Sequence, residues 1–320
     1  MSGKRGGKSI TPKLPCISRS PPLYSSMLLR CPPLAAAFAP VLFIHATASA
    51  QISVSDDLGR RVTLERPAER IVSLAPSITE CLFAIGAGAR VAGVTDFCNY
   101  PPEAATRKHV GGMINPSLES IVGLGPDLIL LSMEGNMRGD FERLTTLGAP
   151  VFVTNPRTLE GIYRSLEQLG TLTGTADSAR SLVAMLRRRE RAIRSEAKGR
   201  PPVKVLTIVS LAPLMCAGGH TFIDELIEVA GGTNPARRAS GTYPAYSREQ
   251  VVADDPEAII VMSDVLPGGK SLEDVFPEWA GLSAIRRHRV YRMNGDILSR
   301  PGPRAIDALE TLFHHLHPQQ

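Results

Sequence analysis

The hexapeptide Ile-Val-Ser-Leu-Ala-Pro occurs twice in this chain, at residues 71–76 and at 208–213, and the stretches after each copy also match. The first is followed by the helix-like run 78–85 and Gly86-Ala-Gly88, the second by the run 222–229 and Ala230-Gly-Gly232. Ser117-Leu-Glu-Ser-Ile-Val122 with Pro126-Asp-Leu-Ile129 is echoed by Ser247-Arg-Glu-Gln-Val-Val252 with Pro256-Glu-Ala-Ile259. Three matched segments in one order describe two related halves. Units of this size are lobes, since solenoid repeats have periods of roughly 20–50 residues.

Within each half, strand patterns alternate with helix patterns, which predicts an α/β fold of two similar lobes with mostly parallel sheets. A β-hairpin over 52–64, turning at Gly59, comes first. Strands are predicted at 70–74, 91–95, 128–132 and 151–154. Ser77 with Glu80 reads as a capping box opening a helix, Ser117 caps another, and helices follow at 137–147 and 158–173. Residues 175–198 contain neither Pro nor Gly, and Leu182, Val183, Leu186 and Ile193 trace one apolar stripe until Gly199 and Pro201-Pro202 end it. A single long helix between lobes makes a stiff connection, where a flexible linker would be rich in Gly and Ser. The second half reads as a strand from Val203, helices at 221–230 and 247–253, strands at 257–263 and 289–293, and a last helix from Pro303 to about His315. The organisation is therefore a signal peptide with a possible extension over 1–50, an N-terminal lobe at 51–174, a linking helix at 175–200 and a C-terminal lobe at 201–320.

Charge separates the leader from the rest. Lys4, Arg5, Lys8, Lys13, Arg19 and Arg30 meet no acid in the first 50 residues, and without them 30 basic residues face 31 acidic ones. The remainder carries no nucleic-acid footprint. Leu34 to Ile44, followed by small residues at Ala48 and Ala50, reads as a secretion signal cleaved after Ala50, with Met27 an alternative start to Met1. Export to the periplasm follows. Cys81, Cys98 and Cys216 remain after cleavage, so at least one is free. Cys81 and Cys98 are one candidate pair, while the apolar setting of Cys81 favours a buried thiol.

Ligands of open parallel sheets meet the carboxyl ends of strands and the amino ends of helices. The loops at those ends are 76–77, 96–100, 113–115 and 132–136 in the first half, and 211–221, 243–246 and 296–304 in the second. His220, beside Gly218-Gly219, is a candidate to face a crevice between them. Arg304 falls in the first turn of the last helix, where the helix dipole disfavours a cation. Its expected partner is Asp296, Glu310 or an acidic ligand group. Glu119 and Glu249 are matched acids, each two residues after a serine cap. The dipole accounts for either alone, and the pair also forms a two-point docking site for a two-fold partner. Trp279 reads as packing, and the histidines at 314, 315 and 317 as a helix end. G-x-S-x-G, H-E-x-x-H and G-x-x-x-x-G-K-[ST] are absent, and no metal site or resident cofactor is expected. An exported hydrolase would have only Ser77, Asp96 and His220 to work with.

Residues 51–317 resemble the periplasmic substrate-binding proteins of cobalamin and iron-complex importers. The likeness rests on IVSLAPSITE (71–80), VTDFCNYPPEA (94–104), NPSLESIVGLGPDLIL (115–130), TFIDELIEVAGGTN (221–234), YSREQVVADDPEAIIV (246–261) and RPGPR (300–304). It implies a monomer of two lobes joined by one backbone helix, without catalysis, and a metal-containing chelate held between the lobes for an ABC permease dimer. Cobalamin or a related corrinoid is the expected ligand, with a ferric siderophore as the alternative. Glu119 and Glu249 match the glutamates that meet permease arginines. Phe97 and Tyr243 fall where cobalamin binders present cleft aromatics, and Asp296 and Arg300 at polar positions near the ligand. Pro76, Ser77, Asn115 and His220 complete the expected lining with Met113 and Ser132, which stand where the best-known cobalamin binder has tryptophans. The haem-binding branch places a tyrosine iron ligand around Gly112, and this chain has none there.

Overall fold

Two separate five-stranded sheets organise the computed structural model, which describes residues 51–148, 150–266 and 268–318. The expected leader lies outside these residues. In the first half, β1 (Ile52–Ser55) and β2 (Arg61–Leu64) form the antiparallel hairpin. β3 (Ile71–Ser73), α1 (Pro76–Ala84), β4 (Val91–Val94), β5 (Lys108–His109), α2 (Leu118–Gly123), β6 (Leu128–Ser132), α3 (Arg138–Thr146), β7 (Val151–Thr154) and α4 (Leu159–Leu172) come after it. Their strands pair in parallel in the order β5-β4-β3-β6-β7. The long helix α5 (Ala176–Ala197, 22 residues) comes next.

The second half runs β8 (Val203–Leu211), β9 (Leu214–Cys216), α6 (Phe222–Val229), β10 (Gly232–Thr233), α7 (Arg248–Asp254) and β11 (Ala258–Met262). It ends with α8 (Leu272–Val275), α9 (Ser283–Arg286), β12 (Val290–Met293), α10 (Gly295–Ser299) and α11 (Ala305–Leu316). Its strands are parallel in the order β10-β8-β11-β12, with β9 antiparallel beside β8. The fold is the expected one: two α/β lobes and a backbone helix.

The internal repeat is physical. The carboxylate of Asp127, just before β6, accepts the N–H groups of Glu69 and Arg70 at the entry to β3. At the matching place Glu257 accepts the N–H of Lys204 at the entry to β8. Ser117 and Ser247 both cap their helices, accepting from the N–H groups of Ser120 and Gln250. Gly86 and Gly231 close α1 and α6 with φ of 83° and 81°, a conformation that costs glycine nothing.

The two hexapeptides differ in structure. In the first copy, β3 stops at Ser73 and Pro76 is the first residue of α1; the second copy stays in β8 and folds back into β9, with Leu211 opposite Leu214. Two more expectations are corrected near these ends. Ser77 and Glu80 form no capping box: Ala75 is the N-cap, no side chain caps α1, and Glu80 is drawn away by Arg300 and Arg304. The last helix begins at Ala305 rather than Pro303, with Arg304 as its N-cap. The short elements β9, β10, α8, α9 and α10 leave no clear signal in the sequence.

Along α5, Ala179, Val183, Leu186, Ile193 and Ala197 are buried. They pack against α4 from the first half and against α6 and α11 from the second. One apolar cluster therefore runs through both halves, from Val62 to Leu316. Cys81, Cys98 and Cys216 are buried and free. Burial pushes the Cys81 thiol far above its ordinary range, with the charge of Glu80 adding to it. Trp279 is fully buried, its ring 4.2 Å from that of Phe276. Among the described residues no helix is long and apolar enough to cross a membrane.

The C-terminal histidines secure α11. His315 stacks on Tyr291 at 4.1 Å, and His317 meets the carbonyl of Ala230 at 3.0 Å. Burial holds both imidazoles below their ordinary pKa. A depressed pKa in the folded state means that the unfolded chain takes up protons first as pH falls. Stability is therefore full above about pH 6.5 and declines below it. Thermal melts between about pH 7 and pH 5 should show this decline. The substitution His315→Phe, which keeps the ring but not the titration, should flatten part of it.

Candidate functional site

In the first sheet the chain leaves β3 toward β4 on one side and β6 on the other. That switch point opens a crevice at the carboxyl ends of these strands. Pro76 and Ser77 follow β3, Phe97 follows β4, and Ser132 ends β6. From the second half, Tyr243 and the segment after β12 come up against them. Together these residues line a cleft of about 380 Å³ with Met113, Glu134, Gly135, Asp296, Ser299, Arg300 and Pro301. Phe97 is 57% exposed, so the aromatic face stands open to a ligand. Burial pushes the phenol of Tyr243 up to about 12, with the nearby Glu134 charge adding to the shift, so it is a neutral hydroxyl.

Asn136 fixes the first-half wall. Its amide oxygen accepts the N–H of Ser132 at 2.8 Å, and its NH₂ group donates to the carbonyls of Leu74 (2.9 Å) and Met113 (2.8 Å). One side chain thus ties the end of β6 to the exit of β3 and to the 113 loop. The Met113 methyl closes over Gly135, where any added side chain would collide with it.

An ion network joins the halves along one end of the cleft. Glu80 on α1 is only 3% exposed. Its carboxylate accepts from Arg304 Nε at 2.8 Å and Nη2 at 2.5 Å, and from Arg300 Nη1 at 2.9 Å. Arg300 also donates to Asn99 (2.7 Å), to the Phe97 carbonyl (3.3 Å) and to Asp296 (2.6 Å), and Asn99 donates to Asp296 at 3.0 Å. Arg304 lies 4.0 Å from the centre of the Tyr100 ring. Desolvation opposes its charge, but the hydrogen bonds and field of Glu80 prevail and its pKa is raised. A further link joins Glu225 of α6 to the first half, where its carboxylate accepts the Leu159 N–H at 2.6 Å.

The partner expected for Arg304 is thus neither Asp296 nor Glu310. Glu310 is taken by Arg189 of α5 at 2.7 Å, and Asp296 by Arg300. Of the ten residues expected to line the cleft, Pro76, Ser77, Phe97, Met113, Ser132, Tyr243, Asp296 and Arg300 do so. Asn115 does not: its side chain folds back over Gly112 within its own turn. Neither does His220, exposed in the left-handed region (φ 61°) just before the Thr221 cap. None of the loop 211–221 reaches the cleft. Glu134 and Ser299 lie in candidate loops, but nothing in the sequence distinguishes them from their neighbours, and Glu80 looks there like a cap. The trio of the hydrolase reading does not assemble: Asp96 meets His109 at 3.1 Å, and no hydrogen bond links Ser77, Asp96 and His220. Among the described residues no cluster of His, Cys, Asp or Glu could hold a metal ion.

Glu119 and Glu249 lie outside the cleft, both exposed in the first turns of α2 and α7. Hydrogen bonds from its own N–H and from the Ser247 hydroxyl hold the Glu249 carboxyl below its ordinary range. Three residues beyond each acid stands a valine, Val122 or Val252, each 48% exposed.

Comparison with known proteins gives consistent matches. The family model for periplasmic binding proteins matches residues 71–297. The vitamin B12-binding protein of Vibrio parahaemolyticus is 28% identical over 250 residues, 78% of this chain and 90% of that protein. The crystal structure of the periplasmic vitamin B12 binding protein BtuF of Vibrio cholerae superposes with a TM-score of 0.71 at 29% identity, covering 78% of this chain and 97% of that one. The periplasmic heme-binding protein RhuT from Roseiflexus sp. RS-1, in apo form, also gives 0.71, at 27% identity over 78% and 98%.

Removing one partner from a buried ion cluster leaves uncompensated charge, so Glu80→Gln should cost about 3–5 kcal/mol in urea unfolding. The double variant Glu80→Gln/Arg304→Gln should lose less than the sum of the two single losses. A cost for Glu80→Gln below about 1 kcal/mol would contradict the network.

Proposed function

The chain belongs to the periplasmic binding protein family, and from that premise we propose that it is the substrate-binding component of an ABC importer. It captures a metal-containing chelate, cobalamin or a related corrinoid, between its two halves and hands it to a membrane permease. The observation that carries this reading is the cleft. Eight residues expected from the sequence come from both halves into one concavity, four of them apolar or aromatic (Pro76, Phe97, Met113, Tyr243) and four polar or charged (Ser77, Ser132, Asp296, Arg300). It is a concave site where polar groups can orient a ligand held by its apolar faces. A volume of about 380 Å³ grips one edge of a large macrocycle, and the exposed Phe97 ring supplies a flat face. The relatives named for vitamin B12 support a corrinoid.

The lobes of the proposal are residues 51–174 and 201–320, with 175–200 as the rod between them. Because one apolar cluster and the Glu80 network already join the halves, ligand entry brings little closure. Delivery proceeds as a monomer in the periplasm, after export and cleavage at Ala50. The permease dimer is met through Glu119 and Glu249. Their support is the matched geometry: each half offers an exposed acid at a helix start and an exposed valine one turn on. No step requires catalysis.

Calorimetric titration of the mature protein with cyanocobalamin, cobinamide and ferric siderophores tests the ligand. Saturable corrinoid binding weakened about tenfold by Phe97→Ala is expected; binding of ferric siderophores alone moves the protein to the alternative ligand class. The double reversal Glu119→Arg/Glu249→Arg should leave the corrinoid affinity intact and abolish uptake in cells. If the affinity collapses instead, these acids are not dedicated to docking.

A further inference from the structure

Six charged side chains stand in the cleft or directly behind it. Glu134, Asp296 and Arg300 line it, and Glu80, Arg304 and Arg157 back it through ion pairs. Three carboxylates therefore face three guanidinium groups. Each guanidinium is already committed to a carboxylate of the protein itself. Arg157 meets Glu134 at 3.3 Å, and Arg304 meets Glu80 at 2.5 Å. Arg300 gives Nη1 to Glu80 and Asn99, and Nη2 to Asp296 and the Phe97 carbonyl. That accounts for all four of its terminal N–H donors. Among the described residues that line the cleft, Arg300 is the sole cation. The carboxylates of Glu134 and Asp296 keep 35% and 41% of their side-chain surface accessible, against 12% for Arg300 and 15% for Arg304. Arg157 keeps 40%, but it stands behind Glu134 and does not line the cleft.

We infer that the cleft selects metal chelates without net negative charge, with Glu134 and Asp296 as the residues that reject anionic ones. The inference rests on the proposal that this cleft is the ligand site. A polyanionic chelate loses hydration on entering and finds no uncommitted cation to replace it, only neutral hydroxyl donors such as those of Ser77, Ser132 and Tyr243. To win Arg300 it must break a bond that holds the halves together. It also meets the accessible carboxylate oxygens of Glu134 and Asp296, whose like charge opposes its approach. A neutral chelate meets none of these penalties, and a cationic one is drawn toward Glu134 and Asp296. Discrimination therefore comes from a built-in repulsion as well as from fit.

The test is titration of the intact mature protein at low and at high salt with four probes. These are neutral cyanocobalamin, cationic aquacobalamin, haemin with its propionates, and a trianionic ferric tris-catecholate. Both corrinoids should bind about a hundredfold more tightly than either anion. Aquacobalamin should lose affinity as salt rises, while cyanocobalamin should not. In the double variant Glu134→Gln/Asp296→Asn, the ratio of tris-catecholate to cyanocobalamin affinity should rise by about tenfold or more, a gain that salt removes. The wild-type series is decisive even where that variant fails to fold. Equal or tighter binding of either anion by the wild type, or an unmoved ratio in a folded variant, overturns the inference and leaves the binding-protein reading standing. Failure of all four probes to bind overturns that reading, and this inference with it.

Discussion

A carboxylate that is almost fully buried, on the first helix of one half, is held by two arginines from the far end of the other half. Glu80 can occupy that position only because Arg300 and Arg304 replace the water it has lost. The arrangement sets where α1 and the last helices stand with respect to each other, and so sets the width of the cleft between them. The apolar cluster that runs through both halves packs beside this network along α5. On the proposed reading, a junction held in this way leaves the site largely formed before a ligand arrives, so that little binding energy goes into closing it.

The same network explains the chemistry of the cleft. Arg300 reaches the lining as the end of a chain of donors and acceptors that begins at Glu80 and includes Asn99 and Asp296. Its charge is satisfied from within, so it acts as structure as much as anchor. The surface this leaves in the cleft includes the ring of Phe97, the thioether of Met113, the neutral phenol of Tyr243, the hydroxyls of Ser77 and Ser132, and the carboxylates of Glu134 and Asp296. On the inference drawn above, such a surface takes a broad chelate with little negative charge. Outside the cleft the two-fold repeat leaves a different mark, the matched acids and valines of α2 and α7, which the proposed function assigns to a two-fold permease.

How much of the structure is legible in the sequence depends on the range of the interactions involved. Serine caps at 117 and 247, the closing glycines at 86 and 231, and the stripe along α5 are local, and each can be read directly. The second hexapeptide misleads because identical residues take their conformation from the segment after them. Ser77-Ile-Thr-Glu80 continues as a helix, whereas Leu214-Met-Cys216 pairs back on β8. Glu80 resembles a cap because its true partners lie 220 and 224 residues away in sequence. Asn115 and His220 mislead for a smaller reason. The Asn115 loop is at the right end of its strand, but its turn folds that side chain back over Gly112. His220 is lost because β9 runs back along β8 and its whole loop stays out of the cleft. Strand order puts a loop beside the cleft; only the turn within the loop decides which residues enter it.

The central claim is that both halves grip one ligand at once. Hydrogen–deuterium exchange of the mature protein, with and without saturating cyanocobalamin, tests it most directly. Exchange should slow together in the segments around Phe97 and Ser132 of the first half and around Tyr243 and Arg300 of the second. Protection confined to one half, or none at saturation, would contradict it.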